Sequence, residues 1–172
     1  FQLESDSELV FVGDAGTTEP KGATKRNGLE LIASYFNKTG FEIDGFVTLV
    51  DARFVGVQDN GIPNAIEESA AVSLGQTWGN LKVGYKLKYV GSAPLVEDRS
   101  IESDSVINSD LFFNLKVNKD LSLNLSIFNL FDRDNSDIQY AQDYFLAGSP
   151  AFGKTFHPSL PRHVRLTANL QF

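Results

Sequence analysis

The chain has 172 residues, 42% of them hydrophobic, and carries 15 Lys and Arg residues against 22 Asp and Glu residues. The acidic balance argues against a nucleic-acid partner, and the absence of Cys excludes disulfides and thiolate metal sites. No run of about 18 apolar residues is present, so any membrane crossing must use strands. Because neither Met nor a leader-like stretch opens the chain, we expect a processed protein or a part of a longer one.

Eight segments alternate between apolar and polar residues, which is the pattern of β-strands with one apolar face. In segment 81–91, for example, Val83 and Tyr85 oppose Lys82 and Lys86. A helix would scatter these polar residues around its whole circumference. At roughly ten to fourteen residues, the segments exceed the mean strand length of globular sheets. The strands are predicted at 1–12, 27–37, 41–54, 67–78, 81–91, 107–118, 121–131 and 163–172.

The connections between these segments alternate in length. Tight turns are predicted at Lys38-Thr39-Gly40, Gly79-Asn80 and Lys119-Asp120, and long connections at 13–26, 55–66, 92–106 and 132–162. Tight turns at one rim and long loops at the other are typical of a transmembrane barrel, with the tight turns in the periplasm. The predicted fold is therefore an all-β, antiparallel, up-and-down transmembrane β-barrel.

The last segment supports this interpretation. Val164, Leu166, Ala168, Leu170 and Phe172 share one face, while the residues between them are polar. About ten residues is the length of a tilted strand that crosses a bilayer. Two alternatives stay open at this point: an eight-strand barrel that closes on itself, with a structural or adhesive role, and a soluble β-sandwich binding module.

Several stretches resemble one protein family. Residues 8–20 (ELVFVGDAGTTEP), 26–31 (RNGLEL), 129–133 (NLFDR) and 157–172 (HPSLPRHVRLTANLQF) look like the C-terminal part of the β-barrel of a TonB-dependent outer-membrane receptor. The complete barrel of that family has about 22 strands around a plugged lumen. Residues 1–172 would then be a barrel segment, without a counterpart of the plug domain.

The resemblance implies a function and a set of partners. It implies a bacterial outer-membrane receptor that is not an enzyme, needs no cofactor, and imports a scarce nutrient such as a metal–siderophore complex. Energy would come from the TonB complex through the missing N-terminal region. The barrel would contact outer-membrane lipid, and Phe172 would be the signal for the barrel-assembly machinery.

Polar residues on the second strand face are expected to point into the lumen, where they meet water and the plug. These residues are Glu30, Glu42, Asp44, Lys82, Lys86, Lys88, Asp110 and Lys116. Contact with a small-molecule ligand is expected from the longest connection, 132–162, which is predicted to be a mobile extracellular loop. The candidate ligand-facing residues are Gln139, Tyr140, Tyr144, Phe145, Phe152 and His157.

Two chemical motifs fit their usual functions poorly. Residues 148–155 (GSPAFGKT) match the phosphate-binding loop, but Pro158 and Pro161 oppose the helix that such a loop requires. The acidic cluster that begins at Asp132 lacks the glycine and the closing glutamate of a calcium loop. His157 and His163 lack an evident third ligand nearby, so no metal site is predicted.

Overall fold

The computed structural model describes residues 1–12 and 17–171, and their regular structure is β throughout. No helix in these two ranges is long and apolar enough to cross a membrane. The strands are β1 (Gln2–Ser5), β2 (Glu8–Val12), β3 (Thr17–Lys21), β4 (Thr24–Phe36), β5 (Phe41–Phe54), β6 (Glu68–Trp78), β7 (Leu81–Val90), β8 (Val106–Lys116), β9 (Leu121–Phe128), β10 (Ser136–Leu146), β11 (Ser149–Pro158) and β12 (His163–Leu170).

One antiparallel sheet of eight strands organises the molecule, in the order β1-β4-β5-β6-β7-β8-β9-β12. Seven of its strands lie within about three residues of the predicted bounds, because a period of two dominates their sequences. The all-β antiparallel prediction is confirmed. The two remaining strand pairs, β2 with β3 and β10 with β11, form separate hairpins inside the long connections.

Tight turns and long connections alternate as the sequence predicts. The turn between β4 and β5 ends at Gly40, whose φ of 84° lies in the left-handed region that glycine adopts without strain. Gly79, with φ of 55°, occupies the turn between β6 and β7 in the same way. All the tight turns lie at one end of the sheet, and the long connections 6–23, 55–67, 91–105 and 129–162 lie at the other.

One face of the sheet is apolar and uncovered. Residues paired across strands share a face, and the pairs Leu31 with Val47 and Leu125 with Leu166 lie on this side. The exposed fraction is 60% for Leu31 and 71% for Leu166. A soluble sandwich would bury such a face against a second sheet. The exposed apolar face therefore fits a lipid-facing surface instead.

The opposite face carries the polar residues, and the register places all eight predicted lumen residues there. Glu42 and Lys82 form an ion pair across β6. Asn114 and Asn124, which face each other on β8 and β9, are joined by a side-chain hydrogen bond. This side of the sheet suits water or protein within a barrel.

The first predicted strand, 1–12, is wrong as a single element. It divides into β1, which pairs with β4, and β2, which pairs with β3. The polar residues 5–7 interrupt the alternation, and the Ser5 hydroxyl donates a hydrogen bond to the Ser7 carbonyl at 2.7 Å. This local bond favours a bend over a continuous ladder.

The connection 132–162, predicted as a loop, contains a long hairpin that the sequence analysis did not predict. Ten residues of β10 pair with ten of β11 in a long hairpin. Its two turn residues, Ala147 and Gly148, have φ values of 50° and 85°. A two-residue turn with both φ values positive matches the natural twist of paired strands, so a regular ladder continues on either side.

A small apolar core joins the long connections to the sheet. Val10 of β2, Ala52 and Phe54 of β5, and Ile62 of the 55–67 connection are buried together. Ala52 and Phe54 lie on the polar side of the sheet, at the end with the long connections. The β2–β3 hairpin and the 55–67 connection therefore fold over that side and leave the apolar face free.

The sheet does not close on itself within the described residues. β1 and β12 are its two outer strands, and they do not pair with each other. β1 also covers only the first four residues of β4, so most of β4 has a free edge. An eight-strand closed barrel is therefore not formed, and the sheet has the edges of a part of a larger barrel.

Candidate functional site

The long connections line an open cavity of about 450 Å³ at their end of the sheet. Each of the four connections contributes to its wall. The lining residues are Val10 and Lys21 from the first, Asp59, Pro63 and Asn64 from the second, Leu95, Val96, Glu97, Asp98 and Ser100 from the third, and Tyr140, Ala141 and Phe152 from the fourth. A concave site with mixed apolar and polar walls is the usual form of a small-molecule pocket.

The β2–β3 hairpin is held in place by charge. The Arg26 guanidinium donates two hydrogen bonds to the Glu8 carboxylate, one of them at 2.8 Å. These bonds hold the pKa of Glu8 below its usual value. On the paired strand, directly opposite Glu8, Lys21 Nζ lies 3.2 Å from Glu97 Oε1. The hairpin is therefore tied both to the sheet and to the 91–105 connection.

The 91–105 connection is itself a compact structure. Backbone hydrogen bonds join Leu95 to Ile101 at 2.8 Å and Ser103 to Ala93 at 2.9 Å. Arg99 extends from its tip to Glu67, with Nη2 2.6 Å from Oε1. Because its own hydrogen bonds fix its shape, this connection can serve as a common support for the other three.

Asp98 makes the tip of this connection acidic. Its carboxylate accepts hydrogen bonds from the backbone N–H of Ser100 at 3.0 Å and from the Ser100 hydroxyl at 2.7 Å. The backbone bond, followed by the hydroxyl bond, lowers the pKa of Asp98, so the side chain is charged at neutral pH.

The charges that line the cavity are mostly negative. The lining includes three carboxylates, of Asp59, Glu97 and Asp98, and one cation, Lys21. Lys21 forms an ion pair with Glu97 and neutralises it. Two carboxylates therefore remain to set the local potential. This part of the wall attracts cations and repels anions.

The structure separates the six candidate ligand-facing residues. Tyr140 and Phe152 line the cavity. Gln139 is buried beside them and binds the backbone of Asp104. Tyr144, Phe145 and His157 lie elsewhere on the hairpin, and Phe145 is 78% exposed near the turn.

The sequence did not predict most of the residues that form the cavity wall. Leu95, Glu97, Asp98 and Asp59 come from connections that have no periodic pattern and no chemical motif. The one available signal was their position, since binding residues concentrate in loops at one end of a rigid scaffold. The alternation of short and long connections identified that end but not the residues.

The phosphate-loop match is not backed by a helix. Residues 149–158 form β11, so Lys154 lies in a strand and binds Asp104, with Nζ 2.8 Å from Oδ2. In the acidic cluster, Asp132 Oδ1 accepts a hydrogen bond from the backbone N–H of Arg162 at 2.8 Å. No group of three or more metal-ligating side chains occurs in residues 1–12 and 17–171. Phe172, the predicted assembly signal, lies outside the described residues.

Comparison with known proteins connects this architecture to iron uptake receptors. No family model matches the chain. The catecholate siderophore receptor Fiu of Escherichia coli K12 is 24% identical, and the similarity covers the whole chain but 23% of Fiu. The chain therefore spans about a quarter of the length of this curated relative.

Solved structures share the fold. The siderophore receptor PiuA of Acinetobacter baumannii superimposes with a TM-score of 0.74 and 19% identity over 98% of this chain and 25% of PiuA. The closed form of the ferric-catecholate import receptor Fiu from E. coli K12 superimposes with a TM-score of 0.74 and 22% identity, over 99% of this chain and 24% of Fiu.

These similarities confirm several predictions. The sheet has the fold of part of a TonB-dependent receptor barrel, as the sequence motifs indicated. The outer-membrane location is confirmed as well. So is the expectation that the chain is not an enzyme, because the related proteins are receptors.

Proposed function

We propose that this barrel segment serves an outer-membrane receptor that takes up a scarce nutrient, such as a metal–siderophore complex, in a TonB-dependent manner. The observation that carries the proposal is the cavity of about 450 Å³ built jointly by all four long connections. The cavity lies at one end of a sheet whose outer face suits lipid. An uptake site needs this position, because it must be reached from one side of the membrane.

The cavity would hold the chelate above the lumen before transport. Tyr140 and Phe152 provide flat apolar surface, and the carbonyl- and carboxylate-rich 91–105 connection provides polar contacts. The polar face of the sheet continues below toward the tight turns. Passage would then require TonB and the interior domain of the complete receptor.

The negative charge of the cavity wall should influence which chelates the receptor accepts. Because Asp59 and Asp98 are negative, we expect this wall to favour chelates that carry little negative charge. The name of the relative Fiu refers to catecholates, whose ferric complexes are strongly anionic. Other parts of the complete receptor would have to supply positive charge if such a complex were the cargo.

The direct test is iron-limited growth of cells that depend on this receptor. Ferric 2,3-dihydroxybenzoate and the positively charged ferric complex of desferrioxamine B would be the two probes. The double substitution Tyr140→Ala with Phe152→Ala should reduce uptake of the transported probe about tenfold or more, since two aromatic contacts are lost. Phe145→Ala is the matched control, because Phe145 lies on the same hairpin outside the cavity.

Uptake must also cease in cells without TonB. If neither probe supports growth, the proposed cargo class is wrong. If uptake persists without TonB, or if the double variant and the Phe145 control transport equally, the proposed site or mechanism is wrong.

A further inference from the structure

Asp104, in the 91–105 connection, contacts both strands of the β10–β11 hairpin. The backbone N–H of Asp104 donates to Gln139 Oε1 at 2.9 Å, and Gln139 Nε2 donates to the Asp104 carbonyl at 3.1 Å. The Asp104 carboxylate in turn binds Lys154 on the partner strand, at 2.8 Å. One residue thus engages both strands of the hairpin.

The Gln139 part of this attachment is the stronger one. Gln139 is 8% exposed, so its amide has little water to bind if the contact with Asp104 is lost. The Lys154 ion pair is more open to solvent, with side-chain exposures of 30% for Lys154 and 70% for Asp104. Exposed ion pairs contribute little on their own.

The attachment lies directly beside the cavity wall. Tyr140 and Ala141 follow Gln139 along β10 and line the cavity, and Phe152 lies two residues before Lys154 on β11. Leu95, Glu97 and Asp98 line the same cavity and belong to the same connection as Asp104. The distance between these two walls therefore depends on how Asp104 is held.

We infer that Gln139 is a positioning residue whose side-chain amide latches the β10–β11 hairpin to Asp104 and thereby sets the width of the cavity, with Lys154 in support. The inference deepens the proposed function, since it concerns the same cavity. It also accounts for Lys154 within the GKT sequence without any nucleotide: the lysine is a cation for Asp104.

The test replaces Gln139 with glutamate in the membrane-embedded protein. Glutamate keeps the size of the side chain but cannot donate a hydrogen bond to the Asp104 carbonyl when ionised. Gln142→Glu is the matched control, because it makes the same change on β10 at a side chain with no hydrogen bond to the 91–105 connection. Hydrogen–deuterium exchange of the hairpin amides is the first readout.

Gln139→Glu should raise exchange in residues 136–158 about tenfold over Gln142→Glu, with exchange in β7 and β8 unchanged. Lys154→Met should raise it less, and Lys154→Arg should restore the native rate. Equal exchange in the Gln139 and Gln142 variants would overturn the latch, and so would a rise that extends through β7 and β8.

The second readout is affinity for ferric 2,3-dihydroxybenzoate. Gln139→Glu should bind this probe about tenfold more weakly than Gln142→Glu. Equal affinity would overturn the role of the latch in setting the cavity. If the native protein does not bind the probe at all, the proposed cargo fails, while the exchange experiment still decides whether the latch exists.

Discussion

Asp110 and Asn129 join β8 to the turn that follows β9: Asp110 Oδ1 accepts a hydrogen bond from the backbone N–H of Asn129 at 3.0 Å. The Asn129 side chain extends the connection. Its Nδ2 donates to the carbonyls of Arg133 at 2.9 Å and Leu160 at 3.3 Å, and its Oδ1 accepts from the N–H of Arg133 at 3.0 Å. Asn129 therefore links β8, β9 and the approach to β12.

Replacement of Asn129 should destabilise this corner. The side chain is 5% exposed and its φ of 49° suits asparagine or glycine. Asn129→Ala removes the side-chain hydrogen bonds to Arg133 and Leu160 and adds backbone strain, so we expect a loss of about 2–4 kcal/mol in the free energy of unfolding. Urea unfolding of the protein in lipid vesicles is the measurement.

Two further variants separate the effect of backbone strain from the effect of the lost hydrogen bonds. Asn129→Gly relieves the strain but not the missing hydrogen bonds, so it should lie between the native protein and Asn129→Ala. Asn169→Ala, at an exposed asparagine of β12, should stay within about 0.5 kcal/mol of the native value. If Asn129→Ala unfolds like Asn169→Ala, the network is not a stabilising one.

The residues at this corner show how far the sequence predicts the structure. Residues 129–133 served as a mark of family resemblance, but their bonds to Arg133 and Leu160 depend on chain segments that meet only in the fold. The strands of the sheet were predictable because a period of two over ten residues has no other good explanation. The β10–β11 hairpin was missed because its turn is Ala147-Gly148 rather than the more familiar Asn-Gly.

The sequence likewise predicted only a part of the candidate site. Tyr140 and Phe152 could be proposed because aromatic residues stand out in a long connection. Gln139 was grouped with them, yet its amide binds Asp104, which lies 35 residues away in the chain. No local pattern records such a contact, since it depends on how two connections pack.

The tie between Glu8 and Arg26 should respond to acid. The pKa of Glu8 is lowered in the folded protein by hydrogen bonds from Arg26. A lowered pKa means that the tie contributes stability above the unfolded value of about 4.3, and that this contribution is lost as the pH falls through the folded value. The β2–β3 hairpin should therefore be held at pH 7 and loosen only below roughly pH 4.

A nitroxide on Thr18→Cys, an exposed position of β3, would report this change. Its mobility should be low and constant from pH 7 to 5 and should rise in stronger acid. In a Glu8→Gln background it should already be raised at pH 7 and should change little with pH. A pH-independent label in the native background would show that the ion pair does not restrain the hairpin.

Phe172 remains the predicted signal for the barrel-assembly machinery. Phe172→Ser should reduce the amount of folded protein in the outer membrane more than Gln171→Ser does, because the first change removes the terminal aromatic ring. Heat-modified mobility in gels separates the folded from the unfolded protein. Equal amounts of the two variants in the membrane would speak against the signal.

The central claim is that the sheet spans the outer membrane with its cavity on the cell surface. The native chain has no Cys, so single cysteines can be labelled without background. In intact cells, a membrane-impermeant maleimide should label Ser149→Cys, in the hairpin beside the cavity, and spare Asn80→Cys and Asp120→Cys in the tight turns. All three should react after the cells are opened. Labelling of Asn80→Cys and Asp120→Cys in intact cells, with Ser149→Cys protected, would contradict the orientation, and equal labelling of all three would contradict the membrane span itself.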